Sequence, residues 1–334
     1  MPIRIAVDAM GGDDAPDVVV QGASLVLTET DRDVHLLLTG PADRVQPLVD
    51  KLDEAVRARI TVVDAPDVIG MDESPAAAIK TKTASSIHVG MGMCKQGMAD
   101  GFVSAGNTGA VMAGGLFILG RLSGVSRPSV IGYFPTLKGI SIVLDVGTNV
   151  DCKPEHLVQF AHMGAIYAEQ ILGVESARCA LLNVGEEPGK GDELAKATFK
   201  ALSEAEGLDF IGNVEGRDIM QHAADVVVCD GFTGNILLKF AESVAVILPK
   251  MLGAEMHRLA MPAEEQAAVA KAFGGVKARF DYREFGGVPL LGVDGTVVIG
   301  HGGSDAYAIK NMILAAESMV SSRVTTMISE AMAS

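Results

Sequence analysis

The sequence has little positive charge, and this scarcity limits the partners it can have. Lys and Arg number 27 against 42 Asp and Glu, which gives a formal net charge of −15 at pH 7. Nucleic-acid backbones and anionic membrane faces attract proteins of the opposite sign. We therefore expect no nucleic-acid partner, and we expect any membrane contact to be local.

Paired cysteines and long apolar runs are also missing. The four cysteines form no CxxC pair, so no zinc or redox motif can arise locally, and a reduced cytoplasmic compartment is the simplest expectation. Residues 1–8 lack the basic and apolar regions of a signal peptide. The longest apolar run, residues 109–120, is far shorter than the roughly 20 residues that a bilayer requires, so we expect no transmembrane helix.

Familiar nucleotide and hydrolase motifs are absent as well. No GxGxxG follows the first apolar run, residues 185–190 fall one residue short of a P-loop, and there is no GxSxG elbow. None of the seven histidines has the aspartate five residues later that a His-x4-Asp acyltransferase requires. These absences disfavour a standard dinucleotide site, ATP hydrolysis, and both of these hydrolase and acyltransferase chemistries.

What is present is typical of a folded globular protein. The 334 residues are 49% hydrophobic and 21% charged, which excludes disordered, collagen-like and coiled-coil chains. The length suits two domains or one large α/β unit. Because no repeat or flexible linker marks a boundary, we expect a single interwoven catalytic unit over residues 1–334 with a central cleft, and a hinge near residues 145–150.

Short β-branched runs alternate with helical segments along the chain. Strands that are apolar on both faces and separated by helices are typical of a parallel sheet covered on both sides. The pattern predicts a doubly wound, mainly parallel α/β fold. The predicted strands are Ile3–Val7, Val34–Leu38, Ile60–Val63, Gly101–Ser104, Ile140–Leu144, Ala180–Val184, Val226–Cys229 and Val297–Ile299.

Polar, glycine-bearing loops follow six of these strands. Parallel sheets bind ligands at the carboxyl ends of their strands, so we expect the six loops to converge on one edge and form an anion pocket. Glycines there let backbone N–H groups close on phosphate oxygens, and Asn, Thr and Ser add donors. In any single loop, helix capping and turn formation would explain the same residues. The loops span residues 8–13, 104–109, 145–149, 183–191, 230–235 and 301–305.

Three residues in or near these loops have functional chemistry, and each also has a structural explanation. His301 opens a glycine loop, where it contacts a ligand or makes a structural hydrogen bond. Lys190 precedes a predicted helix N-terminus, where it helps to hold an anion or lies solvated beside Glu186. Cys152 lies near the start of another helix, as an activated thiol or an inert buried one.

A Met- and Leu-rich segment extends over residues 236–273. Leu252, Met256 and Leu259 share one helical face, which is typical of a core or a dimer interface, and also of a contact with lipid or acyl chains. A basic island follows at residues 271–283, where an acidic partner would dock.

Six motifs occur in order along the whole chain and carry a family resemblance. They are DAMGGD at 8–13, VSAGNTGA at 103–110, DVGTNVDCKPEHLVQFA at 145–161, GFTGN at 231–235, FGGVPLLG at 285–292 and HGGSDA at 301–306. Together they resemble the bacterial acyl-carrier-protein:phosphate acyltransferases of phospholipid synthesis.

The resemblance implies a reaction and a set of partners. Acyl-acyl-carrier protein and inorganic phosphate would give acyl phosphate and free carrier protein, without metal or cofactor, and the product would feed a membrane acyltransferase that acylates glycerol 3-phosphate. The implied fold is similar to that of the isocitrate and isopropylmalate dehydrogenases and of phosphate acetyltransferase. The implied protein is a cytoplasmic homodimer that associates peripherally with the membrane. Segment 236–273 would then be a protruding dimer and membrane contact, through Met251, Leu252, Met256, Leu259 and Met261.

The resemblance also implies roles for individual residues. Lys190 would bind phosphate or polarise the thioester carbonyl, and Asn235 would donate to the oxyanion or orient phosphate. The carrier protein would dock on Lys271, Lys277, Arg279 and Arg283. The expected substrate- and phosphate-binding residues are Asp8, Gly11, Gly12, Asp13, Ser104, Gly106, Asn107, Thr108, Asp145, Gly147, Asn149, Asp230, Gly231, Thr233, His301, Gly302 and Ser304.

Other functions and another route fit the same residues. Acidic loop residues would also suit a metal-dependent NAD(P) hydroxy-acid dehydrogenase of similar fold. A protein that binds acyl-carrier protein without turnover would present the same loops. Within the acyltransferase hypothesis, phosphate attacks the thioester directly, or an acyl-enzyme forms on Cys152.

Overall fold

A computed structural model describes residues 2–333 of the chain, which form two compact units. Unit 1 consists of the residues up to Ile131, Glu169–Gly173, and the residues from Tyr282 onward. Unit 2 consists of Gly132–Ala168 and Val174–Asp281. The chain does not change unit at residues 145–150, where we expected a hinge, because these residues lie inside unit 2. The single catalytic unit with a central cleft stays a prediction.

Each unit is built from strands and helices that alternate along the chain. The strands are β1 (Ile3–Asp8), β2 (Val34–Gly40), β3 (Ile60–Asp64), β4 (Gly101–Ser104), β5 (Ser129–Val130), β6 (Gly132–Pro135), β7 (Ile140–Leu144), β8 (Arg178–Leu182), β9 (Asp209–Val214), β10 (Val226–Val228), β11 (Val288–Leu291) and β12 (Thr296–Ile299). The helices are α1 (Asp17–Glu29), α2 (Ala42–Val49), α3 (Glu54–Arg57), α4 (Pro75–Thr81), α5 (Ser86–Lys95), α6 (Thr108–Gly114), α7 (Pro154–Ile171), α8 (Glu193–Ser203), α9 (Gly216–Ile219), α10 (Gly231–Arg258), α11 (Ala263–Ala278), α12 (Tyr282–Phe285), α13 (Ala306–Ser321) and α14 (Val324–Ala333). A π-helical segment at Gly115–Leu119 continues α6.

Unit 1 contains a seven-stranded sheet in the order β3-β2-β1-β4-β12-β11-β5. The five strands from β3 to β12 are parallel, and β11 is antiparallel to both of its neighbours. Ile5, Ala6 and Val7 of β1 are fully buried, as a strand covered on both faces requires. Helix α13 packs closely on α1, because Gly22 leaves room for the side chain of Ile309.

Unit 2 contains a five-stranded sheet in the order β6-β7-β10-β8-β9. Strands β7, β10, β8 and β9 are parallel, and β6 is antiparallel to β7. Val226, Val227 and Val228 of the central strand β10 are fully buried. Helix α7 approaches this strand closely at Gly164, where a Cβ would lie 2.6 Å from the Val226 side chain.

The predicted mainly parallel α/β fold is confirmed, with one correction. All eight predicted strands are present, although several are longer or shifted by one or two residues. The structure adds β5, β6, β9 and β11, three of which pair only antiparallel. The strands form two sheets, so the expectation that six loops converge on one edge is wrong. Each sheet carries three of the six loops.

Segment 236–273 is helical and exposed. It consists of most of α10, which continues as one helix through Pro249, the connection at residues 259–262 and the larger part of α11. In α10 only Gly231 and Gly234 are buried, and α11 has no buried residue. A core role within the described chain is therefore wrong, and a contact with a second copy or a membrane stays a prediction. None of the helices that the structure describes combines the length and apolar character needed to cross a bilayer.

Gly234 tests how tightly α10 packs against the end of β7. A Cβ at this position would overlap the carbonyl oxygen of Asp145. Gly234→Ala should therefore lower the free energy of unfolding by roughly 1–3 kcal/mol, as overpacking does. Gly253 in the same helix has no atom within 4 Å of a Cβ, so Gly253→Ala should raise that free energy by about 0.5–1 kcal/mol through helix propensity. Urea unfolding measures both variants, and equal effects would contradict the packing.

Candidate functional site

Three of the predicted loops meet in unit 1, at the carboxyl ends of β1, β4 and β12. These strands are adjacent and parallel, so the loops that follow them leave the sheet at the same edge. The Asp13 N–H donates to the carbonyl oxygen of Gly302 at 2.8 Å, which joins the first loop to the last. The Gly300 N–H donates to the Ser104 carbonyl oxygen at 2.8 Å, which joins the last to the middle one.

Asp8 is a buried residue whose carboxylate holds this cluster together by hydrogen bonds. Its buried carboxylate accepts from the Ser104 hydroxyl at 2.6 Å and from the Met10 N–H at 3.0 Å. The Gly106 N–H in turn donates to the Ser104 oxygen at 3.0 Å. Burial raises the pKa of Asp8, and these hydrogen bonds oppose the rise. Gly11 packs directly on this group, because a Cβ there would lie 2.7 Å from the Asp8 carboxylate. Asp8 therefore positions the loops and does not offer its carboxylate to a ligand.

Asn107 is also committed to structure. Its side-chain oxygen caps α6 by accepting from the Ala110 N–H at 3.0 Å. Its Nδ2 donates to the carbonyl oxygens of Gly70, Met71 and Glu73 at 3.0–3.2 Å. The next residue, Thr108, is exposed at the start of α6. In this loop the side chain left to meet a ligand is that of Thr108.

His301 and Ser304 complete the unit 1 cluster. His301 is exposed, its Nδ1 accepts from the Gly303 N–H at 3.1 Å, and its ring lies 5.2 Å from that of Tyr282. This bond leaves Nε2 as the nitrogen that carries the proton in the neutral ring. Ser304 is buried, and its hydroxyl has no hydrogen-bond partner among residues 2–333.

The other three loops meet in unit 2, at the carboxyl ends of the adjacent parallel strands β7, β10 and β8. Asp145 is fully buried, and its Oδ2 accepts from both the N–H and the Nδ2 of Asn149. The Gly231 N–H donates to the Asn149 carbonyl oxygen at 2.7 Å. A Cβ on Gly231 would lie 2.6 Å from the Asp145 carboxylate. Asp145 therefore braces two loops of unit 2 as Asp8 does in unit 1.

The N-terminal part of α10 brings Asn235 to these loops. Asp230 caps the helix, accepting from the Thr233 N–H at 2.9 Å and the Thr233 hydroxyl at 2.7 Å. Asn235 is exposed, and its side chain lies against Gly147, where a Cβ would be 3.4 Å from the amide oxygen. Gly147 has a φ of +123°, a conformation that a side chain would strain. The Asn235 amide is thus available beside the loop 145–149, whereas Asp230 and Thr233 bond to each other.

Lys190 is exposed and precedes α8, as predicted from the sequence. Its backbone is fixed, since its N–H donates to the Glu187 carbonyl oxygen and Asn183 Nδ2 donates to its own carbonyl. Asp192 caps α8 by accepting from the Ala195 N–H at 2.8 Å. Within the described chain, no carboxylate pairs with the Lys190 ammonium group. The loop therefore holds an exposed cation that makes no ion pair within the described residues.

Sequence reasoning missed Thr148. It lies between Gly147 and Asn149, both of which were predicted site residues, and its buried hydroxyl has no partner in the part of the chain that the structure describes. Buried polar groups are almost always hydrogen-bonded, so such a group needs an explanation. The sequence did contain a signal for Thr148 as a site residue, because its hydroxyl lies within the polar run 145–149. Cys152 is half-buried nearby, and its thiol donates to the Asn149 carbonyl oxygen at 3.4 Å.

The four predicted docking cations are not brought together in one unit. Lys271 and Lys277 are exposed on α11 in unit 2. Arg279 donates to the Thr136 carbonyl oxygen in the same unit. Arg283 lies in unit 1 and pairs with Asp305 at 3.0 Å. The pKa of Asp305 is lowered, most strongly by the hydrogen bond from the Ala308 N–H and further by the pair with Arg283. The docking of a carrier protein on these four residues stays a prediction.

A group of carboxylates in unit 2 has a spacing that metal ions use. Glu186, Glu215 and Asp218 each bring one oxygen within 4.8 Å of the others. The Arg217 guanidinium pairs with Glu215 and lies 3.9 Å from Asp218. Asp218 also accepts from the Glu215 N–H as part of a capping box. An arginine therefore already neutralises part of this group.

Comparison with known proteins gives consistent matches over almost the whole chain. A family model described as fatty acid synthesis protein matches residues 3–327. A phosphate acyltransferase from Salinibacter ruber is 50% identical over 328 residues, 98% of this chain and 97% of the relative. A phosphate acyltransferase from Chlorobaculum parvum is 47% identical over 330 residues, 96% of each chain. The crystal structure of a phosphotransacetylase from Streptococcus pyogenes has a TM-score of 0.62 at 18% identity, covering 95% of this chain and 94% of that one.

Proposed function

This chain belongs to the fatty acid synthesis protein family and is a transferase that acts on an acyl group and phosphate, and from that premise we propose that its acyl donor is an acyl-carrier protein. Acyl-acyl-carrier protein and inorganic phosphate give acyl phosphate and free carrier protein. The acyl phosphate is consumed in phospholipid synthesis by a membrane enzyme that acylates glycerol 3-phosphate.

The observation that carries phosphate binding is a pair of partnerless buried hydroxyls. Ser304 of unit 1 and Thr148 of unit 2 each lie in a glycine-bearing loop at the carboxyl ends of parallel strands. Phosphate oxygens accept hydrogen bonds from such hydroxyls and from backbone N–H groups of glycine loops. In either unit, a phosphate bound at that loop would satisfy a hydroxyl that the protein alone leaves unpaired. In unit 2, Lys190 adds a positive charge to such a site.

The reaction needs no covalent protein intermediate. An oxygen of hydrogen phosphate attacks the thioester carbonyl carbon, a C–O bond forms, and the carbonyl oxygen becomes an oxyanion. The oxyanion collapses, the C–S bond breaks, and the carrier thiolate leaves and takes the proton that phosphate gives up. Lys190 holds phosphate or polarises the carbonyl, and the Asn235 amide donates to the oxyanion or orients phosphate. Positioning and oxyanion stabilisation together account for large rate enhancements.

The exposed helices suit the partners of this reaction. Met251 and Leu259 are exposed apolar residues on and just beyond α10, which fits a homodimer contact or a peripheral, mostly apolar contact with a membrane. Lys271 and Lys277 offer the acidic carrier protein a local positive charge on an acidic chain. The chain would then work in the cytoplasm at the membrane surface.

The deciding experiment supplies purified chain with acyl-carrier protein carrying a long acyl group and with inorganic phosphate. We expect acyl phosphate, trapped as the hydroxamate, and free carrier thiol in a 1:1 ratio. Carrier binding without either product would favour the sensor. NAD(P) reduction with a hydroxy acid and a divalent metal, without acyl phosphate, would favour the dehydrogenase. An acyl group trapped on Cys152 would replace direct attack by the acyl-enzyme route.

Lys190→Ala tests the role of this exposed cation. Turnover should fall by roughly 10²-fold, because the variant loses charge stabilisation in the transition state. Folding should be unchanged, since Lys190 is exposed. Lys200→Ala, on the neighbouring helix α8, is the matched control and should keep wild-type turnover. Steady-state kinetics with saturating phosphate measures both, and wild-type turnover of Lys190→Ala would remove this residue from the mechanism.

Ser304→Ala tests whether the partnerless hydroxyl binds phosphate. The KM for phosphate should rise by roughly tenfold, the worth of a hydrogen bond to a charged ligand, while the stability of the protein barely changes. Ser104→Ala is the contrast, because its hydroxyl links Asp8 to Gly106. That variant should lose about 1–3 kcal/mol of unfolding free energy. Thermal unfolding and phosphate titrations separate the two residues, and an unchanged KM for phosphate in Ser304→Ala would rule out the contact.

A further inference from the structure

Each loop of the unit 2 cluster exposes a large apolar side chain beside its polar residues. Val150 is 57% exposed, Val184 is 76% exposed and Phe232 is 60% exposed. Val150 follows Asn149, Val184 follows Asn183, and Phe232 follows Gly231. A single exposed apolar residue is ordinary, but one in each of three neighbouring loops forms a pattern. We call these three residues the apolar rim.

The backbone places the apolar rim along one edge of the sheet. The Gly231 N–H bonds to the Asn149 carbonyl oxygen at 2.7 Å, so Phe232 and Val150 each directly follow one member of a bonded pair. Strand β8 lies on the other side of β10, with Leu181 opposite Val228. Both strands end at this edge, so Val184 and Phe232 follow neighbouring strands, two and four residues beyond their last residues. The three loops cross the edge in the order of their strands, β7, β10 and β8, and bear Val150, Phe232 and Val184 in that order.

Local structure does not account for these side chains. Phe232 lies in the first turn of α10, where Gly231 and Gly234 make the close contacts and Phe232 buries little. Val184 lies in a loop where its N–H bonds to the Asn183 side-chain oxygen, a bond that any residue could make. Exposed turns favour Gly, Asn, Asp and Ser, and α10 already has its cap in Asp230. The apolar rim therefore leaves apolar surface in contact with water, which is unfavourable, and does not pack into the core.

The chemistry of the proposed product supplies a reason. In an acyl phosphate, one oxygen atom separates phosphorus from the carbonyl carbon, so the first methylenes start beside the phosphate site. Thr148, Asn235 and Lys190 belong to the same three loops as the apolar rim. Each methylene removed from water is worth roughly a fourfold gain in affinity. An apolar surface next to these polar groups would contact the first methylenes and so increase the affinity for the acyl group.

We propose that Val150, Val184 and Phe232 bind the methylenes of the acyl chain nearest the thioester, so that the unit 2 loops recognise an aliphatic acyl group together with phosphate. This proposal rests on the acyl transfer described above and assigns the part of the site that distinguishes fatty acyl from acetyl donors. The three side chains contact substrate and take no part in proton transfer or charge stabilisation.

The test compares serine variants at the three positions with donors that carry acetyl, octanoyl and palmitoyl groups. In Phe232→Ser, kcat/KM for the octanoyl and palmitoyl donors should fall by roughly tenfold, the loss expected for a few unburied methylenes, while the acetyl donor changes less than about twofold. The KM for phosphate should stay at the wild-type value. Val150→Ser and Val184→Ser should act in the same direction with smaller effects, because valine offers less apolar area.

Leu137→Ser is the matched control. Leu137 is 77% exposed in the same unit, but it lies in the turn before β7, at the opposite end of the strands from the loops. This variant should leave the ratio of palmitoyl to acetyl kcat/KM unchanged. Because all four residues are exposed, the variants should unfold at the same urea concentration as the wild type.

A direct binding measurement separates this inference from the proposed reaction. Calorimetry with octanoyl and acetyl phosphate analogues, in which CH2 replaces the bridging oxygen, should show weaker octanoyl binding in Phe232→Ser, smaller losses in Val150→Ser and Val184→Ser, and unchanged acetyl binding in all three. An active wild type whose three serine variants keep its chain-length ratio and analogue affinities would overturn the inference and leave the reaction standing. Serine variants that change only the sedimentation coefficient would assign the rim to a second copy and also overturn it. A wild type without acyl phosphate would overturn the reaction, and a Phe232-dependent octanoyl preference would then still support the apolar rim.

Discussion

Burying a carboxyl group obliges its surroundings to supply hydrogen bonds, and both loop clusters are organised by that requirement. Asp8 ends β1 and draws in the Ser104 hydroxyl and the Met10 N–H. Asp145 follows β7 and draws in the N–H and amide of Asn149. In each case a glycine packs against the carboxylate, Gly11 in the same loop as Asp8 and Gly231 in the loop next to Asp145, because a Cβ would meet the carboxylate. The same device therefore sets the shape of the loops in two separate sheets.

The polar residues of these loops fall into two groups. The side chains of Asn107, Asp230 and Thr233 form helix caps and hydrogen bonds within the protein, so their polar groups stabilise the loops. Lys190, Asn235, Thr148 and Ser304 make no comparable commitment through their side chains. The residues that hold the shape and those left for a ligand are thus different, although both groups look alike in a sequence of Gly, Asn, Thr, Ser and Asp.

The sequence predicts much of this, and its failures have physical reasons. Parallel strands buried on both faces are continuous apolar runs, so all eight were recognisable. The short strand β5 and the antiparallel strands β6 and β11 take their place from pairing, which no local pattern encodes. The division into two sheets depends on strand order, which is equally non-local. Thr148 was missed because glycine and asparagine dominated its loop. Arg283 was grouped with Lys277 by sequence distance alone, and their joint docking role stays a prediction.

The position of β12 has a consequence for how the chain is made. This strand lies between β4 and β11 in the sheet of unit 1, yet it comes from residues 296–299. During synthesis, β4 must wait for almost the entire polypeptide before its second neighbour leaves the ribosome. Until then an apolar strand edge is open to wrong pairing. All of unit 2 emerges during that interval and can fold first. A protein of this design therefore completes its first sheet last, and its late-made strand is the one that protects the early-made ones.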